Sequence, residues 1–200
     1  SAMNYDFRKN CRDFFGLETI NALEFSGRIT DMMYRYPTGI LQGQLNLLDS
    51  HDVNRFLSYC QNDIRRFRLA EVFLFTSPGA PSVFYGDELG MDGNSEFTLR
   101  GPMPWESPKH DEREFFKKLI KLRKENEALM TGTFRTITAS GSGLLVYRRE
   151  LPGQEITIAL NGRDETVSIG EWIPLGEAAL THAFAGGKLG SFGYAVFVGK

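Results

Sequence analysis

Leu45-Asn-Leu-Leu-Asp-Ser-His-Asp-Val-Asn-Arg55 is an apolar run of strand length that ends abruptly in a polar cluster. A strand covered on both faces of a parallel sheet reads as a nearly continuous apolar run, and the polar cluster marks its end. The stretch therefore predicts a backbone that leaves a buried sheet and presents Asp49, His51, Asp52 and Arg55 at its rim. The carboxyl ends of parallel strands are where α/β barrel enzymes display their chemistry.

About thirty residues on, the pattern recurs. Glu71 to Thr76 is an apolar helical stretch, Ser77-Pro78-Gly79 a turn, and Ser82-Val83-Phe84-Tyr85 a short apolar run ending in Gly86-Asp87-Glu88. Strand, acidic rim, helix, strand, acidic rim is the rhythm of a βαβ unit with a parallel sheet. Two carboxyl groups at such a rim can divide acid and base or nucleophilic work between them. On residue chemistry alone Asp52 and Glu88 are the candidate pair, weighed against surface carboxylates that merely finish a turn.

Three motifs in order, Asn46-Leu-Leu-Asp-Ser-His-Asp52, Pro78-Gly-Ala-Pro-Ser-Val-Phe-Tyr-Gly-Asp-Glu-Leu-Gly-Met-Asp-Gly93 and Arg100-Gly-Pro-Met-Pro-Trp105, resemble the α-amylase superfamily, nearest its neopullulanase and cyclomaltodextrinase branch. The resemblance implies an α/β plus all-β chain. Residues 1–130 would be part of a (β/α)8 barrel, about strands six to eight with their helices, and residues 131–200 a C-terminal antiparallel β-sandwich. It implies that the family's strand-four Asp nucleophile and strand-five Glu general acid precede Ser1, so that neither lies in this chain. Asp52 then corresponds to the carboxylate that stabilises the oxocarbenium-like transition state, and His51 to a contact with a substrate hydroxyl. Arg100 matches the arginine of an Asp-Pro-x-x-Arg segment that touches a more distant glucose, with Glu96 and Phe97 where relatives carry Asp and Pro. Asp87 and Glu88 are implied to shape the wall of the site.

The activity implied is that of a retaining α-glucan hydrolase acting on α-1,4-glucosidic bonds, of the cyclodextrin, pullulan or maltooligosaccharide class, with this chain alone inactive. The alternative is a non-catalytic module that binds glucan or a partner. Trp105, Phe97 and Tyr85 are candidates to stack on sugar faces, although packing between barrel and sandwich is the expectation for Trp105.

Elsewhere the periodicity is helical over Asn10 to Phe15 and Thr19 to Tyr36, where Phe25, Ile29, Met32, Met33 and Tyr36 share a face and Pro37-Thr38-Gly39 stops the helix. Asp63 is placed to cap a helix through Thr76 whose apolar second half predicts packing on two sides. The Arg65, Arg66 and Arg68 patch reads as a solvated face. Asp111 to Met130 reads as a helix with Phe115, Leu119, Leu122 and Leu129 inward and Glu114 to Lys118 and Lys121 to Glu125 as ion pairs. From Thr131 the period becomes that of short strands, at residues 132–138, 143–150, 155–161, 165–169 and 194–199, separated by Ser-Gly, Pro-Gly, Asn-Gly and Gly-Gly turns.

Within 200 residues, 23 basic side chains against 25 acidic ones leave a net charge of -2. That balance makes no electrostatic case for nucleic acid or an anionic membrane and suits a neutral glucan substrate. Cys11 and Cys60 form neither a disulfide framework nor a metal-ligand spacing, so reduced thiols, no metal and no cofactor are expected. No run is long enough to span a bilayer, and the first residues are not a signal peptide. Localisation stays open, with a cytoplasmic setting slightly favoured. A barrel lacking five strands has two open edges, which invites homo-oligomerisation.

Overall fold

The computed structural model describes residues 2–106, 110–174 and 177–199. Strands β1 (Met3–Asn4), β2 (Leu45–Leu47) and β3 (Ala80–Ser82) form a parallel sheet in that order. Its register is pinned by amides as well as by the ladder. Asn4 donates from Nδ2 to Gln44 Oε1 and to Asn46 Oδ1, each at 2.9 Å, and Asn46 Nδ2 donates to the Pro78 carbonyl at 2.7 Å. Gly79 passes that amide with φ +102, and a Cβ there would lie 2.8 Å from Asn46 Nδ2.

Helix α1 (Tyr5–Cys11), a π-helical turn (Arg12–Gly16), α2 (Ala22–Tyr34) and α3 (Thr38–Gln42) connect β1 to β2. Helix α4 (Phe56–Tyr59) and α5 (Ile64–Thr76) connect β2 to β3. A 3-10 turn (Asp87–Leu89), α6 (Glu96–Leu99), α7 (His110–Glu125) and α8 (Glu127–Thr131) follow. The first helix thus starts five residues earlier than the sequence pattern suggested, because the Asn4 side chain caps it by accepting from Phe7 N. Pro37 ends one helix but sits at the N-cap of the next. Asn126 breaks the long helix by turning its Nδ2 back to the Leu122 carbonyl, which leaves Leu129 in α8. Glu114 pairs with Lys117, three residues on, rather than with Lys118. Asp63 caps α5 as expected, accepting from Arg65 N.

Arg66 and Arg68 are not a solvated face. Arg66 is buried, donating to the Phe15, Gly16 and Cys60 carbonyls and pairing with Glu18, while Arg68 is held by both carboxylate oxygens of Glu112. Carbonyls exposed by the π-helical turn need donors, and a buried guanidinium fork supplies several at once.

The remaining strands, β4 (Thr133–Ala139), β5 (Leu144–Leu151), β6 (Gln154–Asn161), β7 (Val167–Ser168), β8 (Leu180–Ala185) and β9 (Lys188–Gly199), are antiparallel. The expected sandwich of two facing sheets is instead one six-stranded sheet, ordered β4-β5-β6-β9-β7 with β8 also paired to β9. Strand β9 is long enough to pair β6 through Tyr194–Gly199 and β7 through Lys188 and Leu189. A bulge between His182 and Phe184, with Ala183 and Phe192 at positive φ, bends the ribbon so that the sheet curls over itself. Its concave interior holds Leu144, Val146, Ala159, Leu189, Ala195 and Phe197.

The other face of the sheet shares a core with the helices. Phe73, in the apolar half of α5, lies among Phe7 and Phe25 on one side and Phe134 and Tyr147 on the other, with ring centroids 5.0–6.4 Å away. Helix α5 is therefore packed on two sides, as its pattern predicted. Arg149 seals the junction, donating to the carbonyls of Thr76 (2.6 Å), Leu129 (2.8 Å), Gly132 (2.9 Å) and Thr133 (3.0 Å). The secondary structure changes type between Thr131 and Thr133, but the hydrophobic core continues across that point.

Candidate active-site loop

The loop after β2, residues 48–55, divides into a buried half and an exposed half. Leu47 and Leu48 are buried in the sheet. Asp49, expected at the rim, is only 3% exposed: its Oδ1 accepts from Phe56 N at 2.6 Å and so caps α4. Arg55 is fully buried, donating from Nη1 to the Tyr85 carbonyl at 2.6 Å and to Asp87 Oδ1 at 3.2 Å beneath the rings of Phe84 and Tyr85. Only His51 and Asp52 of the cluster reach solvent, their side chains 64% and 57% exposed with Nε2 and Oδ1 3.1 Å apart.

The buried carboxyls behave differently from surface ones. Burial pushes Asp49 up to about 6, offset in part by Asp87 and by the Arg8 and Arg55 guanidinium groups. Asp87 is raised well above the usual range by burial and by the nearby Asp49 and Glu71 carboxylates, and Glu71 by burial and Asp49. Asp87 Oδ2 also accepts from Phe84 N, and Glu88 Oε2 accepts from Gly86 N at 2.8 Å, so both acids close the turn after β3. Glu88, paired with Asp52 on residue chemistry alone, is engaged in its own turn.

The loop is fastened from three directions. Arg8 Nε donates to the Leu48 carbonyl at 2.7 Å and its Nη2 to the Asn54 carbonyl at 3.0 Å, while Tyr5 Oη lies 3.3 Å from Ser50 Oγ. Arg55 N donates to the Gly93 carbonyl at 2.8 Å, and Arg100 Nε reaches the His51 carbonyl at 3.1 Å. Within the loop, Asp52 N donates to Ser50 Oγ at 3.3 Å.

Arg100 is thus brought to the His51–Asp52 pair. Glu96 lies exposed in the first turn of α6 and forms no ion pair with Arg100. Phe97 is 92% exposed, and Trp105, expected between the two parts of the chain, is 78% exposed. Tyr85 is held by its hydroxyl to the Gly101 carbonyl. Arg8 and Tyr5 carry no signal in the sequence, because they lie forty residues from the motif they brace.

Cys11 and Cys60 are free and buried, and burial raises both thiols. Among the described residues no cluster of His, Cys, Asp and Glu side chains is placed to hold a metal ion, and no helix is long and apolar enough to cross a membrane.

The chain that carries this loop is similar to known proteins. Residues 1–114 match the family described as "Alpha amylase, catalytic domain". The chain belongs to the α-amylase family. It is 38% identical over 175 residues to a cyclomaltodextrinase of Thermoanaerobacter pseudethanolicus, covering 86% of this chain and 30% of that protein. It is also 38% identical over 172 residues to neopullulanase 2 of Thermoactinomyces vulgaris, covering 84% and 29%. Among solved structures, a cyclomaltodextrinase superposes with TM-score 0.81 at 31% identity, over 98% of this chain and 36% of that one. The debranching enzyme of Nostoc punctiforme gives TM-score 0.86 at 25% identity, over 99% and 46%. The chain therefore spans under a third of the length of these two sequence relatives.

Proposed function

We propose that this chain is part of a retaining α-glucan hydrolase acting on α-1,4 bonds of cyclodextrin, pullulan or short maltooligosaccharides. Residues 1–130 would supply strands six to eight of its barrel and residues 131–200 its C-terminal β region. The relatives' names support the substrate class. The observation that carries the reading is the exposed His51–Asp52 pair at the carboxyl end of the middle strand of three parallel ones.

In this reading, as the glycosidic bond breaks, positive charge grows on the sugar ring. A fixed carboxylate that accepts hydrogen bonds from ring hydroxyls holds them more strongly in the transition state than in the ground state. Asp52 is that carboxylate. His51 donates to a hydroxyl of the same sugar, and Arg100 with Glu96 meets a glucose further along the chain. The nucleophile and the general acid come from outside these 200 residues, so the chain alone is inactive.

The test is a chimera in which this chain replaces the matching segment of the Thermoactinomyces vulgaris neopullulanase 2. The chimera is expected to release reducing sugar from γ-cyclodextrin, and Asp52→Asn to lower kcat by about 10²- to 10³-fold. An active chimera indifferent to Asp52→Asn would refute the assignment. A second reading, a non-catalytic glucan-binding module, is favoured by the exposed rings of Phe97 and Trp105 on the loop after β3. It predicts saturable heat with maltoheptaose that Trp105→Ala abolishes. Self-association through the outer edges of β1 and β3 is part of the first reading, and light scattering should detect it.

A further inference from the structure

Resting on the reading of Asp52 above, we propose that Arg8 is a positioning residue for the His51–Asp52 pair. Its two donors grip the carbonyls of Leu48 and Asn54, which bracket the five residues 49–53. The guanidinium is buried and lies over the Tyr59 ring, 5.6 Å from its centroid, so its direction is set by packing and not by a flexible surface rotamer. Tyr5, one turn earlier on the same helix, reaches Ser50 Oγ, and that oxygen accepts from the Asp52 amide. One element thereby sets the start, the middle and the end of the loop.

The chemistry requires an arginine. Two carbonyls six residues apart are met at once by a planar fork with donors in fixed directions, whereas an ammonium is a single point charge. Leu48 and Asn54 would drift apart if only one were held. The carboxylate of Asp52 would then lose its aim, and misplacement by about 1 Å costs on the order of a hundredfold in rate.

Amide hydrogen exchange on this chain tests the clamp without reference to activity. In Arg8→Lys, the amides of Asp52 and Val53 should exchange about tenfold faster or more, while those of α5 and β5 stay within about twofold. Tyr5→Phe, which removes only a hydroxyl, should accelerate Asp52 alone by about two- to fivefold. In Arg8→Ala, millimolar guanidinium ion should slow the loop amides again, because it refits the fork. Uniform acceleration across the chain, or no acceleration of the loop in either variant, would overturn the proposal.

The catalytic half of the proposal is read in the chimera. Arg8→Lys should lower kcat at least tenfold with KM within about threefold. If Asp52→Asn abolishes activity and Arg8→Lys leaves kcat unchanged, the positioning role falls and the functional reading stands. If Asp52→Asn has no effect, the functional reading itself fails.

Discussion

Replacing Phe73 by alanine should destabilise the helices and the β-sheet together. The ring is fully buried and is packed against Phe7, Phe15 and Phe25 from the helical part and against Phe134 and Tyr147 from the sheet. Removing a buried phenyl group costs about 3–5 kcal/mol, from lost transfer energy and from the cavity left behind. With a urea slope of about 2 kcal/mol per molar, the midpoint should fall by about 1.5–2.5 M. Two probes separate the parts. Far-UV circular dichroism follows the helices, and fluorescence of Trp172, which packs on the far face of the sheet, follows the sheet in a Trp105→Phe background. Both transitions should coincide before the substitution and move by the same amount after it. A helical transition that shifts while the Trp172 transition stays in place would refute the continuous core and leave two independently folded parts.

Three further outcomes follow from particular contacts. Asp49, Glu71 and Asp87 have folded pKa values above their unfolded ones, so the native state binds more protons and stability should fall as pH rises from 5 to 7, by up to about 1.4 kcal/mol per pH unit for each group titrating. Asp49→Asn, which keeps the acceptor for Phe56 N, should flatten that slope in urea titrations at the two pH values, and an unchanged slope would contradict the assignment. Gly79→Ala should cost about 1–3 kcal/mol in urea denaturation, because it combines positive φ with a Cβ pressed on Asn46 and the Gln44 carbonyl; a neutral effect would contradict it. Arg149→Met should lower stability by about 3 kcal/mol or more, since the buried carbonyls of Thr76, Leu129 and Gly132 and the part-buried one of Thr133 lose their donor, and Arg149→Lys should recover under half of that in the same denaturation assay.

The parallel part was legible because its signals are local. An apolar run ending in Asp-Ser-His-Asp marks the end of β2, Asp63 marks the start of α5, and the almost wholly apolar run of residues 69–76, broken by Glu71, marks a helix packed on both sides. The curled sheet was harder to read, because β8 carries an Ala-rich alternation and the first half of β9 is interrupted by Gly190 and Gly193. Those glycines look like turns in sequence, yet Gly193 allows a close approach of the backbone where the sheet bends: a Cβ there would lie 3.0 Å from the carbonyls of Gly190 and His182.

In the loop after β2, the motif could not separate the buried groups from the exposed ones. Asp49 and Arg55 look as available as His51 and Asp52 until their partners are known, and those partners are Phe56 N for one and Tyr85 and Asp87 for the other. The burial of Arg66 has the same origin, since it satisfies carbonyls of a π-helical turn 51 and 50 positions away, at Phe15 and Gly16. Periodicity carries no trace of such pairings. Trp105 misled in the opposite direction: a large aromatic was expected to pack between barrel and sandwich, but its ring is left open to solvent.

We propose that this chain carries the transition-state carboxylate of an α-glucan hydrolase, Asp52, and that the nucleophile and general acid lie outside these residues. The direct measurement is reducing-sugar release from γ-cyclodextrin and maltoheptaose by the purified 200-residue chain, beside its Asp52→Asn and Glu88→Gln variants. No release from any of the three is the predicted result. Release by the unaltered chain that either substitution abolishes would contradict the account, because it would mean that carboxylates within these residues complete a site on their own.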